Sequence, residues 1–320
     1  MTLRVVLSLL CTAAMTAMAC QSSSPAEDGD DDTELSDVTD DLSDDAEAPE
    51  EERDTAEEGP STCNGHEALC ARRYSEVAYP CAHNAFCNDE EGFAAPNQPF
   101  GLTRQLADGV RAFMLDTYYC DEGVCLCHGD CMFGSKKLSD SLEEIASFLD
   151  RNPRNVITLI LENYITPADT AAAMQEAGLL SRLHAQPLGQ PWPTLEEMID
   201  GGATMVVFAD HQQEAPAWYH EQDQYAWETP WHNRSLEDFS CDFLRGDRDA
   251  DLLVVNHFLY NALDLSSPSM AEIANEYAAL SAHMQTCREQ SGQIPNFVTV
   301  DHYTIGALLT VVDELNGLTP

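Results

Sequence analysis

The sequence predicts an α/β fold, a single TIM-type (β/α)8-like barrel, from three observations. From Cys63 to Pro320 the chain runs without an evident linker for 258 residues, the length of one such barrel. Short apolar or β-branched runs alternate with helical patterns, as parallel strands covered by helices require. Those runs are nearly all apolar rather than alternating apolar and polar, as strands buried on both faces are.

In chain order, a short apolar segment at Val77–Tyr79 leads into "YPCAHNAFCN", where a strand is expected to end. A strand over Val110–Asp116 and a helix over Ser141–Arg151 follow, then a strand over Val156–Leu161 and a helix over Pro167–Ala177. Next come a helix over Thr194–Asp200, a strand over Met205–Ala209 and a strand over Leu252–Asn256. The chain closes with one long helix over Met270–Gln290, a strand over Phe297–Asp301 and a helix over Ile305–Leu315. His83, Asp116, Glu162, Asp210 with His211, Asn256 with His257, and Asp301 with His302 all stand at or just past these strand ends. A strand meets polar residues whenever it reaches solvent. A barrel, however, gathers all its strand C-termini on one face, so these groups are expected to converge.

Two segments precede this domain. Residues 1–20 read as an export signal: Arg4, an apolar centre over Val5–Leu10, and the small-residue cleavage motif "AMAC" ending at Cys20. A cysteine there matches the bacterial lipoprotein signal, so Cys20 is the expected lipidation site, although Leu is commoner three residues before it. Without lipidation the chain would be secreted. Residues 21–62 carry 18 acidic residues against the single basic Arg53 and read as a disordered acidic stalk. No later stretch approaches the ~20 continuous apolar residues that span a bilayer.

Of the formal net charge of −41, residues 63–320 carry −25, from 38 acidic and 13 basic residues. So acidic a domain is not a nucleic-acid binder and has no polybasic patch for an anionic membrane. An anionic substrate would need a metal cation or a few placed basic groups.

Leaving out Cys11 and Cys20, ten of the twelve cysteines remain, an even number in an exported chain and therefore read as disulfides. Spacing suggests Cys63 with Cys70, Cys81 with Cys87, Cys120 with Cys125, Cys127 with Cys131 and Cys241 with Cys287, among many possible pairings. A zinc site is the competing reading of "CLCHGDC".

Three stretches carry chemistry: "YPCAHNAFCN", "DGVRAFMLDTYYCDEGVCLCHGDC" (Asp108–Cys131) and "LEEIASFLDRNPRNVITLILENY" (Leu142–Tyr164), with "PNFVTVDHY" near the C-terminus. Together they resemble the X domain of phosphatidylinositol-specific phospholipase C, most closely its exported bacterial and plant branch. The resemblance implies a distorted or incomplete TIM-type barrel that cleaves the glycerophosphodiester bond of phosphatidylinositol or a related lipid. Matched residue by residue, His83 of "HNA" is the general base and His128 of "LCHG" the general acid. The residues alone support that logic. Attack of a neighbouring hydroxyl on phosphorus needs a base for its proton and an acid for the leaving alkoxide, and two imidazoles supply both near neutral pH.

The resemblance also implies calcium. Asn84, Asp116 and Glu162 match its ligands, three hard oxygen donors, while Met114 stands where a further acid is usual and thins the shell. Asp116 and Glu162 also fit a second reading, orienting the two histidines. Asp301 is read either as the hydrogen-bond partner that fixes the His83 tautomer or as a strand cap. Arg111 is expected in an ion pair inside the barrel, and His211, His257 and His302 as wall or structural residues. Trp227 and Trp231, in "YAWETPWHN", suit either a lipid-facing rim or packing. The expected partners are a phospholipid substrate and, through the anchor, a membrane, with no nucleic acid and a monomeric chain. Two other functions stay open: a non-catalytic ligand-binding barrel, and a phosphodiesterase for another glycerophosphodiester or a sphingolipid.

Overall fold

A computed structural model describes residues 61–210 and 215–318. The signal segment, Cys20, the acidic stretch and His211 lie outside the described residues. Eleven strands form one curled sheet: β1 (Tyr79–Ala82), β2 (Ala112–Cys120), β3 (Gly123–Leu126), β4 (Lys136–Lys137), β5 (Ile157–Asn163), β6 (Met205–Ala209), β7 (Tyr219–Glu221), β8 (Ala226–Glu228), β9 (Arg245–Gly246), β10 (Leu252–Asn256) and β11 (Phe297–Val300). The helices are α1 (Glu67–Cys70), α2 (Leu102–Asp108), α3 (Leu138–Arg151), α4 (Pro167–Glu176), α5 (Leu195–Asp200), α6 (Gln222–Tyr225), α7 (Pro268–Ala274), α8 (Tyr277–Ser291) and α9 (Leu308–Leu315).

Eight strands run parallel in the order β7-β6-β5-β2-β1-β11-β10-β8, with β9 antiparallel at one end. The ladder stops at β7 on one side and β9 on the other, so this is a TIM-type barrel left open at one seam. β3 and β4 extend β2 as an antiparallel ribbon above the barrel.

The strands are apolar on both faces because two cores share them. Val206 and Phe208 of β6 point inward with Tyr79, Ile160, Val254 and Phe297, and Tyr74 and Trp192 join that inner core. Met205, Val207 and Ala209 point outward onto Leu142, Ile145, Leu149 and Met174 of the surrounding helices. Alternate residues of one strand thus feed different cores, which is why the sequence shows no polar alternation.

The strands β6 and β10 begin and end where the sequence predicts. The long helix over Met270–Gln290 does not form as one piece. Glu276 accepts from the backbone N–H of Ala278 and Ala279 as the N-cap of α8. The buried Asn275 meanwhile donates its side-chain amide to the Asp301 carbonyl at 2.8 Å. Both residues satisfy orphan backbone groups more effectively outside a helix than within one.

Four of the five expected disulfides form: Cys63–Cys70, Cys120–Cys125, Cys127–Cys131 and Cys241–Cys287. Their formation takes the cysteines of "CLCHGDC" away from any zinc site. The fifth pair is a correction, since Cys81 and Cys87 are free thiols. Cys81 projects into the inner core and Cys87 into the outer one, so the sheet separates sulfurs that spacing alone would join.

Candidate active site

Six of the eight parallel strands deliver a polar residue at or near their C-terminal ends to one cleft of about 660 Å³. β1 ends at His83 and Asn84, β2 brings Asp116, β5 Glu162, β6 Asp210, β8 Glu228 and β10 Asn256, and the ribbon beside β2 places His128.

His83 is held on three sides. Its Nδ1 donates to Asp301 Oδ1 at 2.9 Å, which leaves Nε2 as the bare, proton-accepting nitrogen. Its ring stacks on Phe258 with centroids 3.9 Å apart and planes 6° from parallel. Beneath it, the fully buried Gln98 donates to the carbonyls of His83 at 2.8 Å and Val300 at 3.1 Å. Asp301 lies at the end of β11, the parallel neighbour of β1, so pairing between the two strands brings together residues 218 apart in sequence.

Asn97 ties this base to the rest of the site. It is fully buried and donates to Asp301 Oδ1 at 3.0 Å, while its own Oδ1 receives the Asn84 amide at 3.5 Å. Asn84 adopts a left-handed backbone, φ 45°, a conformation that asparagine tolerates better than most residues. Its Nδ2 also lies 3.3 Å from His128 Nε2, so its carbonyl oxygen is the atom left to face the cleft. On the other side of His128, Nδ1 lies 3.9 Å from the Cys87 thiol. Burial, then the neighbouring His83, hold the His128 pKa below the ordinary imidazole value, while Asp301 and Glu162 pull it upward.

Asp116 and Glu162 are register partners on adjacent strands. Burial, then the charge of Glu162, push the Asp116 carboxyl well above its usual range. No ion pair among the described residues reaches either acid, so two carboxylates face each other without a protein cation. Together with the Asn84 carbonyl they form a hard-oxygen set that fits calcium, and Met114 lines the cleft where a further ligand would stand. Across the cleft, Arg245 bonds Glu228 at 2.7 Å and lies 3.7 Å from Asp210. It is the one Lys or Arg lining the cleft among the described residues.

Three expectations resolve differently from one another. Arg111 makes no ion pair among the described residues: it donates to the Leu106 and Val110 carbonyls and to Asn155. Trp227 is buried and donates to Gln293, whereas Trp231 is about half exposed on the cleft rim. His257 bonds His283 and the Ala274 carbonyl away from the cleft, and burial lowers its pKa to about 3. His302 is buried and does not line the cleft. The other buried ligand cluster, Cys241, His283 and Cys287, has both sulfurs in a disulfide.

Sequence reasoning missed Asn97, Gln98, Phe258, Glu228 and Arg245. The polar Asn97–Gln98 pair carries no motif, and Arg245 lies on a two-residue strand without an apolar run.

Residues 69–316 match the family model described as PI-PLC X. The chain belongs to the PI-PLC X family. It is 29% identical over 310 residues to an "Uncharacterized secreted protein" of Arthroderma benhamiae, covering 87% of this chain and 69% of that protein. A "PI-PLC X domain-containing protein 1" of the same organism is 29% identical over 280 residues, covering 80% and 90%. A PI-PLC X domain-containing protein of Arabidopsis thaliana is 27% identical over 272 residues, covering 76% and 62%. Among solved structures, a phosphatidylinositol-specific phospholipase C variant from Staphylococcus aureus superposes with a TM-score of 0.54 at 13% identity, covering 78% of this chain and 95% of that one. That likeness establishes the PI-PLC barrel fold. No helix among the described residues is long and apolar enough to cross a membrane.

Proposed function

We propose that this chain is a phosphoric diester hydrolase of the phospholipase C type, acting on phosphatidylinositol or a glycosylated relative. The observation that carries this reading is the convergence of His83 and His128 on one cleft, the first oriented by a buried carboxylate and the second left without one. His83 Nε2 takes the proton of the headgroup hydroxyl as that oxygen attacks phosphorus. His128 protonates the departing diacylglycerol oxygen, and a cyclic phosphodiester results. Water then opens the ring with the two roles exchanged. Burial makes His128, once protonated, the stronger acid, and the phosphate anion between the two rings favours that protonated form. Asn84, Asp116 and Glu162 would hold a calcium ion, which supplies the positive charge for the phosphoryl oxygens. A cleft whose one guanidinium is already paired with Glu228 suits an uncharged polyol better than a phosphorylated headgroup. The chain acts as an exported monomer, tethered to a bacterial membrane through Cys20.

The test is hydrolysis of phosphatidylinositol with calcium or chelator by wild type, His83→Ala and His128→Ala. Each histidine variant is expected to lose about 10²–10⁴-fold in kcat. Unchanged turnover in either sinks the mechanism, and full activity in chelator removes the metal alone.

A further inference from the structure

The two acids of the cleft are each followed, two residues further along the chain, by a tyrosine. β2 carries Asp116 and Tyr118, while Glu162 lies on β5 and Tyr164 just past its end. Side chains two residues apart on a strand share a face. Asp116 pairs with Glu162 in the ladder, and the Tyr164 N–H donates to the Thr117 carbonyl at 2.9 Å, so the register continues beyond the acids and sets Tyr118 beside Tyr164. Their rings stack with centroids 4.4 Å apart and planes 18° from parallel. All four side chains line the cleft.

The acid pair and the tyrosine pair act in opposite senses. Like charges directly opposite each other on neighbouring strands are destabilising, whereas a cross-strand aromatic pair holds its strands together. The next residue, Tyr119, anchors the same strand end from outside: its hydroxyl donates to Asp169 at 2.6 Å and accepts from the N–H of Thr166, the N-cap of α4, at 3.2 Å. The Tyr164 hydroxyl then donates to Glu162 Oε1. Among the described residues no hydrogen bond reaches Glu162 Oε2, so the carboxylate is held by one oxygen and offers the other. A free glutamate loses rotamer freedom when it ligates an ion; one already bonded to a stacked ring has lost much of it beforehand.

We propose that Tyr118 and Tyr164 are positioning residues that clamp the cation site: their stacking fixes the spacing of β2 and β5 at Asp116 and Glu162, and the Tyr164 hydroxyl turns Glu162 so that its second oxygen meets the ion. The inference rests on the calcium role proposed above and concerns affinity for the ion, independently of the two histidines. A hydrogen-bond partner of a ligating carboxylate is worth about 10–100-fold in metal affinity. That contribution also offsets the thinness of a ligand set in which Met114 stands at the further position.

The test is calorimetric titration of calcium into the metal-free full chain. Tyr164→Phe keeps the ring stack and removes only the hydroxyl, and because Tyr164 is 53% exposed the variant is expected to fold with an unchanged Tm. Its calcium affinity is expected to fall about 10–100-fold. Tyr118→Leu is expected to weaken binding as well, while Tyr118→Phe, which keeps the stack, is expected to bind as wild type does. In a Glu162→Ala background the Tyr164→Phe loss is expected to disappear, because a residue that acts through Glu162 has nothing left to position. Equal affinity in wild type and Tyr164→Phe overturns the clamp and leaves the calcium role standing. So does tighter binding by Tyr164→Phe, which would make the hydroxyl a competitor of the ion, or a loss that persists undiminished with Glu162→Ala. Wild type that binds no calcium removes the calcium role and the clamp together.

Discussion

The two halves of the cleft differ in what completes them. On the β1 and β11 side, His83 is bonded by Asp301, braced through Asn97 and Gln98, and covered by Phe258. On the β2 and β5 side, Asp116 and Glu162 meet no ion-pair partner among the described residues, Glu162 accepts the Tyr164 hydroxyl, and His128 has an amide and a thiol within reach of its ring nitrogens. The base is preorganised by the protein itself. In the proposed mechanism the acid and the charge-neutralising side would be completed from outside, by a phosphodiester anion and a cation. Strain of this kind is stored where charge is to be received.

The largest expected effect breaks the organised half. Asp301→Asn keeps the shape but can hold the wrong His83 tautomer, and kcat is expected to fall about 10²-fold or more with KM little changed. A rise in KM with kcat little changed would instead place Asp301 in substrate binding. Next, Asn97→Ala removes the link between the halves without touching either histidine's reacting nitrogen. It is expected to cost about tenfold in kcat, with a shifted pH profile that a purely structural role would leave in place.

The pH profile sharpens the comparison without mutation. His128 must be protonated to act as an acid, and its pKa lies below the ordinary 6.5. Activity of free enzyme therefore declines as pH rises through that lowered value, so the alkaline limb of kcat/KM is expected below 6.5. A limb above it would mean that Asp301 and Glu162 outweigh burial.

The smallest effect concerns stability. Asp116 has a raised pKa in the folded state, so between its unfolded and folded values the unfolded chain loses a proton that the folded chain keeps. Ionisation therefore favours unfolding as pH rises from acid to neutral. Asp116→Asn is expected to stabilise the metal-free chain at pH 7, seen as a rise in Tm relative to wild type. Calcium is expected to raise the Tm of wild type and to leave that of the variant nearly unmoved. Equal calcium responses would take Asp116 out of the metal set.

Much of the organised half was legible in the sequence. Apolar runs mark β6 and β10 because burial on both faces leaves no room for polar residues, and a polar residue ending such a run announces the cleft. That rule found His83, Asp116, Glu162, Asp210 and Asp301. It failed where backbone pairing, not side-chain burial, defines the element. β7, β8 and β9 are two or three residues long, so Glu228 and Arg245 lacked a visible strand to end. Asn97 was hidden for another reason: its role exists only once β11 and β1 are paired. The spacing of Cys81 and Cys87 misled because Cys81 lies on β1 in the inner core while Cys87 lies past the end of that strand, among side chains of the outer core.

Those two thiols turn the barrel into its own proofreader. They are six residues apart, closer than the seven that separate the bonded Cys63 and Cys70. An unfolded chain under oxidising conditions can therefore join them as readily as that native pair. In the folded chain β1 turns Cys81 into the inner core, the turn beyond the strand leaves Cys87 in the outer one, and both remain free. A Cys81–Cys87 crosslink thus records a chain oxidised before its barrel closed. Alkylation of the denatured protein followed by peptide mapping reads this directly: Cys81 and Cys87 are expected to be labelled in correctly assembled molecules and unlabelled where oxidation came first.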